Sequence, residues 1–186
     1  MAFDCIIPLG ATCNITFLLR NAKLNKETTL FEWFVSNRLN NITNVLLQLE
    51  TDILIPKDKG VCMIDENIYS PHYTYDVFKD IFIRRRDRLI KTIQSNRTIL
   101  FIRFEGDYNM YTEADIDDFA AAIRGIRPDC EFKLLLITPN KDIPDHPLLI
   151  TEFYDKHPED RYCQGEINQF FRYILDKHEF MPQESP

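Results

Sequence analysis

The chain of 186 residues carries 29 acidic side chains against 22 lysines and arginines, a formal charge of −7 and an isoelectric point near 5.1, with 45% hydrophobic and 27% charged residues. That length accommodates one well-cored domain, and the composition is that of an ordinary globular protein. An acidic chain lacks the basic surface needed to displace counterions from phosphates, which excludes a general nucleic-acid binder.

Residues 3 to 8, FDCIIP, form a short apolar run that reads as a buried strand. No basic region precedes it and the run is too short to span a bilayer, so the expectation is a protein with no secretory leader and no membrane partner, located in the cytoplasm. A turn holding Gly10, Thr12 and Cys13 then leads into an amphipathic helix over 13 to 22, and a second helix is expected over 40 to 50 (NNITNVLLQLE). A long helical pattern covers 75 to 95. Its cationic stretch IRRRDR, residues 83 to 88, lies near Asp76, Asp80 and Asp87, which makes it a solvated, salt-bridged face. Residues 98 to 104, TILFIRF, read as a buried strand. A helix over 112 to 126 follows, opened by Thr112 with Glu113 and Asp115 in its first turn and closed near Gly125 and Pro128. Residues 132 to 138, FKLLLIT, form a third buried strand, a last helix covers 165 to 178, and residues 181 to 186 are a polar, disordered tail.

Strands alternating with helices predict a parallel sheet with right-handed crossovers, covered on both faces. The expected architecture is therefore a single α/β domain over 1–180, three-layered, with a mostly parallel sheet and helices on both faces. The five cysteines (Cys5, Cys13, Cys62, Cys130 and Cys163) are scattered without CxxC spacing, as befits reduced thiols and not a zinc site. Neither a Gly-x-Gly-x-x-Gly nor a Walker-type phosphate loop occurs, so no cofactor and no metal is expected. Three Asn-x-Thr triplets, at Asn14, Asn41 and Asn96, carry no information without secretion.

Parallel sheets bind ligands at the carboxyl ends of their strands, which nominates Gly10 to Cys13, Arg103 to Asp107, and Thr138 to Lys141. Cys13 falls at the start of a helix, where unpaired backbone N–H groups and the positive end of the dipole favour a thiolate. The same groups could hold a phosphate or carboxylate, and a small buried apolar residue filling the corner is a third possibility. Of the four histidines, His146 and His157 each precede a proline in a polar, turn-rich stretch and His178 lies near the chain end. His72 stands apart, in YSPHYTYD, among Tyr69, Tyr73 and Tyr75. A Cys13–His72 pair would suit nucleophilic cysteine chemistry, while an exposed histidine among tyrosines is the competing account. Asp76, Glu105, Asp107 and Asn140 are all candidates to orient the imidazole.

The segments IPLGATCNITFLLRNAKL and TTLFEWFVSN, followed by SPHYTYD and TILFIRFE, resemble a family of uncharacterised proteins described as papain-like cysteine peptidases. Members of that family show a Leu-Gly-x-x-Cys turn, a Pro-Phe-Asp-Trp stretch, a histidine-bearing aromatic loop and an arginine-bearing strand. Leu9, Gly10 and Cys13 match the first motif. Leu30, Phe31, Glu32 and Trp33 occupy the second, with leucine in place of proline and glutamate in place of aspartate. The resemblance implies Cys13 as nucleophile, His72 as base, and a substrate face drawn from Gly10, Thr12, Glu32, Trp33, Arg103 and Glu105. Taken by themselves, Trp33 and its neighbours suit corner packing, and Glu32 is either a surface residue or buried against Arg20, Arg103 or the Cys13 loop.

Three functions are consistent with these residues. One is a cysteine-dependent hydrolase acting on a peptide or small-molecule substrate through Cys13 and His72. Another is a sugar- or nucleotide-binding or transferase domain, with an anion held by the Gly10–Cys13 turn and neutralised by Arg103. The last is a non-catalytic interaction domain. The hydrolase is the expectation carried forward.

Overall fold

The computed structural model describes residues 3–11, 13–24, 27–49, 55–56, 62–65, 67–105, 110–155 and 164–180. In chain order the elements are β1 (Cys5–Pro8), α1 (Asn14–Asn21), β2 (Val35–Ser36), α2 (Leu39–Leu47), β3 (Ile55–Pro56), β4 (Cys62–Asp65), β5 (Ile68–Ser70), α3 (Tyr75–Ser95), β6 (Thr98–Phe104), α4 (Glu113–Ile126), β7 (Glu131–Thr138), β8 (Leu149–Phe153) and α5 (Gln164–Lys177).

Strands β1, β6, β7 and β8 lie side by side in that order, and every neighbouring pair is parallel. Pairing of Pro8 with Ile102, and of Arg103 with Leu136, brings the exits of the first three strands to one end of the sheet. The apolar runs of β6 and β7 exist because both faces are covered. On one face Ile99, Phe101, Leu134 and Leu136 join a core with Leu39, Ile42, Phe78, Phe82, Phe119 and Ile123 from α2, α3 and α4. On the other, Leu100, Ile102, Phe104, Leu135 and Ile137 pack with Ile15, Leu18 and Leu19 of α1 and with Phe171 and Ile174 of α5. This is the three-layer α/β arrangement that the strand–helix alternation predicts.

Local chemistry sets the element ends. Thr112 and Asp115 form a reciprocal capping box at α4: the Thr112 hydroxyl accepts from the Asp115 N–H at 3.3 Å and Asp115 accepts from the Thr112 N–H at 2.7 Å. Asn40 donates to the other Asp115 oxygen at 2.7 Å, so the same carboxylate also fastens α4 to α2. At the other end of the sheet Asp4 accepts from the N–H groups of Arg97 and Thr98, both at 2.9 Å, which aligns β6 against β1.

Two features depart from the expected plan. The parallel sheet gains β8, and a second, antiparallel sheet is built in the order β2-β5-β4-β3, with a bulge between Met63 and Asp65. Ile64 and Ile68 of that small sheet enter the core beneath α2, α3 and α4. Strands of two to four residues are too short for a period-two pattern to register, and β8 lies beyond a proline-rich stretch, so neither was predicted. The first strand begins at Cys5 instead of residue 3, and the second helix ends at Leu47 instead of residue 50. The expected tail, 181–186, lies outside the described residues. Among the described residues no helix is long and apolar enough to cross a membrane, and no group of three or more His, Cys, Asp and Glu side chains is placed to hold a metal ion.

The backbone N–H of Thr98 in particular holds the Asp4 carboxyl below its ordinary value of 3.8, with the N–H of Arg97 adding to the effect. Because the folded pKa is the lower one, the stabilisation is fully present above the unfolded pKa and is lost as the pH falls through the folded pKa. Urea denaturation of Asp4→Asn is therefore expected to show a smaller loss of stability between pH 5 and pH 2.5 than the parent. A parent-like acid slope would remove Asp4 from this role.

Candidate functional site

The site begins where β1 ends. Leu9 continues the ladder by donating to the Ile102 carbonyl at 2.8 Å, after which Gly10 and Ala11 both turn left-handed, with φ of +76° and +72°. Glycine is required at the first of these for two reasons: the conformation penalises a side chain, and a Cβ there would stand 3.2 Å from the Phe34 carbonyl and 3.3 Å from that of Phe31. The turn is thus pressed against the 31–36 corner and bonded to it. The Ala11 N–H donates to the Ser36 hydroxyl at 3.1 Å, and the Ser36 N–H donates to the Ala11 carbonyl at 3.3 Å.

Thr12 lies outside the described residues. Cys13 is the N-cap of α1, with helical backbone angles, one position ahead of the first turn in which the sequence places it. Its carbonyl accepts from the N–H groups of Thr16 and Phe17, and the residue is half-buried. Phe17 and Arg20 follow at four and seven positions, on the same face of the helix.

Trp33 joins that face to His72. Its indole packs edge-to-face on Phe17, with ring centroids 5.0 Å apart at 90°, and on His72, 5.5 Å apart at 83°. The Arg20 guanidinium lies over the indole, 5.0 Å from its centroid. His72 itself is exposed, in the turn between β5 and α3. Ser70 bolts the two loops together: its hydroxyl donates to the Trp33 carbonyl at 2.9 Å and accepts from the His72 N–H at 3.2 Å. Trp33 thus links the Phe17 ring, one turn beyond Cys13 on α1, to the His72 ring. Phe17 was missed in the sequence, although its i+4 spacing from Cys13 was the available signal.

Glu32 is fully buried, which removes its reading as a surface residue. Its carboxylate accepts from the Thr29 N–H at 2.5 Å and stands 3.9 Å from Arg20, the first of the three expected partners, while Arg85 donates to its backbone carbonyl at 3.3 Å.

Arg103 and Glu105 were expected to meet a ligand. The structure turns both inward, at 0% and 1% exposure. Arg103 has the same strand parity as Ile99 and Phe101, so its side chain enters the α2–α4 face of the sheet. There Nε donates to Glu105 at 2.5 Å and to the Tyr111 hydroxyl at 3.3 Å, Nη1 donates to the Leu9 carbonyl and the Ser36 hydroxyl, and Nη2 donates to the Ser36 carbonyl at 2.9 Å. Burial opposes the guanidinium charge, yet the adjoining Glu105 and Tyr111 together outweigh it and raise the Arg103 pKa above its ordinary value. Burial likewise pushes the Tyr111 hydroxyl well up. Asn140, also buried, follows β7 at the same end of the sheet, where it accepts from the Asp142 N–H at 2.9 Å. Asp76 is exposed at the start of α3, and Asp107 lies outside the described residues.

No family model matches the chain, and no solved structure matches it. The chain is similar to "Uncharacterized protein R408" of Acanthamoeba polyphaga mimivirus, at 25% identity over an alignment that covers 60% of this chain and 66% of the viral protein. The similarity thus spans just under two-thirds of that relative's length, and its name attaches no activity to it.

Replacing Arg103 by methionine takes the guanidinium away from a buried carboxylate and from four other acceptors. The expected cost is about 3–5 kcal/mol in urea denaturation, the range for removing one partner of a buried ion pair. Ser36→Ala, which deletes one hydroxyl from the same network, should cost about 1–2 kcal/mol.

Proposed function

We propose that this protein is a cysteine-dependent hydrolase, papain-like in its chemistry, with Cys13 as nucleophile and His72 as general base. The observation that carries the reading is the double contact of Trp33, which touches Phe17 on the face of α1 that Cys13 heads and touches the His72 ring. The resemblance of the Leu9-Gly10-x-x-Cys13 turn to cysteine peptidases supports the same pair.

Cys13 stands at the positive end of a helix dipole, which favours the thiolate over the thiol. His72 takes the thiol proton and the sulfur attacks the substrate carbonyl. The C–S bond forms as the C–N or C–O bond breaks, and the imidazolium returns its proton to the leaving amine or alcohol. Water then cleaves the thioester, giving the acid and restoring the thiol.

The anion-holding alternative has less to draw on. Its counter-charge was Arg103, whose nitrogens are committed to Glu105, Tyr111, Leu9 and Ser36.

Iodoacetamide labelling followed by mass spectrometry tests the assignment through the thiols themselves. Burial, more than the neighbouring Asp4 charge, pushes the Cys5 thiol up to about 12, and burial also raises Cys130. Cys13 is expected to be alkylated at least about tenfold faster than either at pH 7. His72→Ala should move the rise of Cys13 alkylation towards the pH of an ordinary thiol, about 8.5. Labelling of Cys13 no faster than of Cys5, or a pH profile unmoved by His72→Ala, overturns the proposal.

A further inference from the structure

We infer that Phe17, Trp33 and His72 form the face on which a neutral, planar aromatic group of the substrate is seated, directly beside Cys13. The inference rests on the assignment of Cys13 as nucleophile and adds the class of group that the site selects.

Geometry supplies the first support. Helical side chains lean towards the helix N-terminus, so Phe17 covers the surface over the turn that contains Cys13. It is 48% exposed, while Ile15, Leu18 and Leu19 around it are buried. The planes of Phe17 and His72 are both nearly perpendicular to the indole, at 90° and 83°. Rings set at right angles line a corner and do not close into a stacked column, and a further ring entering such a corner finds both an edge and a face to pack against.

The mount of Trp33 supplies the second. Its φ of +70° is a conformation that non-glycine residues seldom adopt, and it persists because its surroundings fix it. Ser70 grips the Trp33 carbonyl, Arg85 grips the preceding carbonyl of Glu32, and Arg85 is itself held by the Tyr73 hydroxyl at 2.8 Å. The buried Glu32 carboxylate draws Arg20 across the indole. All of these contacts converge on displaying one half-buried ring.

Charge decides the ligand class. Arg20 sits over the indole and so already occupies the ring face on which an aromatic cage would hold a cationic ligand. Its own charge is already answered by Glu32, which leaves little attraction for an anion. A neutral aromatic ring, such as a phenylalanyl side chain adjoining the bond to be cleaved, is what remains.

The test compares acetyl-phenylalanyl chloromethyl ketone with acetyl-alanyl chloromethyl ketone on the intact chain. In both reagents the Cys13 sulfur forms the C–S bond, chloride leaves, and the thiol proton passes to the base. The second-order rate constants for Cys13 modification are read by mass spectrometry. The phenylalanyl reagent should react about tenfold faster or more, and Phe17→Ala and Trp33→Leu should each bring the ratio close to one. Phe17 is a surface residue, so its variant keeps the test valid should Trp33→Leu fail to fold. Equal rates in the parent, with Cys13 still quickly alkylated by iodoacetamide, overturn the aromatic preference and leave the nucleophile standing. A preference that survives both substitutions places the aromatic seat elsewhere and also overturns it. A Cys13 inert to all three reagents removes the nucleophile and this inference with it.

Discussion

The buried guanidinium of Arg103 is the interaction on which the arrangement of this molecule depends. It lies near the end of β6, and it reaches four places that no single element could unite: the exit of β1 at Leu9, the small sheet at Ser36, the exit of β6 at Glu105, and Tyr111 just before α4. A charge enclosed in this way is tolerable only when its partners are complete, because a buried ion that lacks one carries the full desolvation penalty of the stranded group. The fold therefore accepts one geometry or pays several kilocalories per mole. That geometry presses the Gly10–Ala11 turn onto the 31–36 corner, and the position of Cys13 at the head of α1 follows from it. The small antiparallel sheet is thereby part of the site's frame, since Ser36 at one of its edges and Ser70 on its neighbouring strand each bond to a loop that carries a candidate residue.

Much of the frame was legible in the sequence because it obeys short-range rules. TILFIRF and FKLLLIT read as doubly covered strands from their apolar, β-branched content, Thr112 announced its helix, and a glycine ahead of Cys13 announced the turn. The side of the sheet that Arg103 faces was legible too, in its parity with Ile99 and Phe101, but an arginine near a strand end is ordinarily read as facing solvent or a ligand. The small sheet was hidden because its strands are too brief to show a period. The link between Trp33 and His72 was hidden for a different reason: it joins segments about forty residues apart through a left-handed tryptophan, and no local preference predicts such a residue. Glu32 illustrates the middle ground. The requirement that a carboxylate within an aromatic run be paired was evident, and Arg20 was among its expected partners. The direction of the effect was not: the pair steers the arginine onto the indole as much as it satisfies the glutamate.

Trp33 is the single tryptophan in the chain, and it lies at a corner where a histidine ring, an arginine and a phenylalanine meet. Its near-ultraviolet emission is consequently an optical reporter of that corner alone, undiluted by any other indole. The emission therefore changes with anything that alters the packing or solvent exposure of that ring. The corner can in this way be watched in solution without a label, a substrate or an engineered probe.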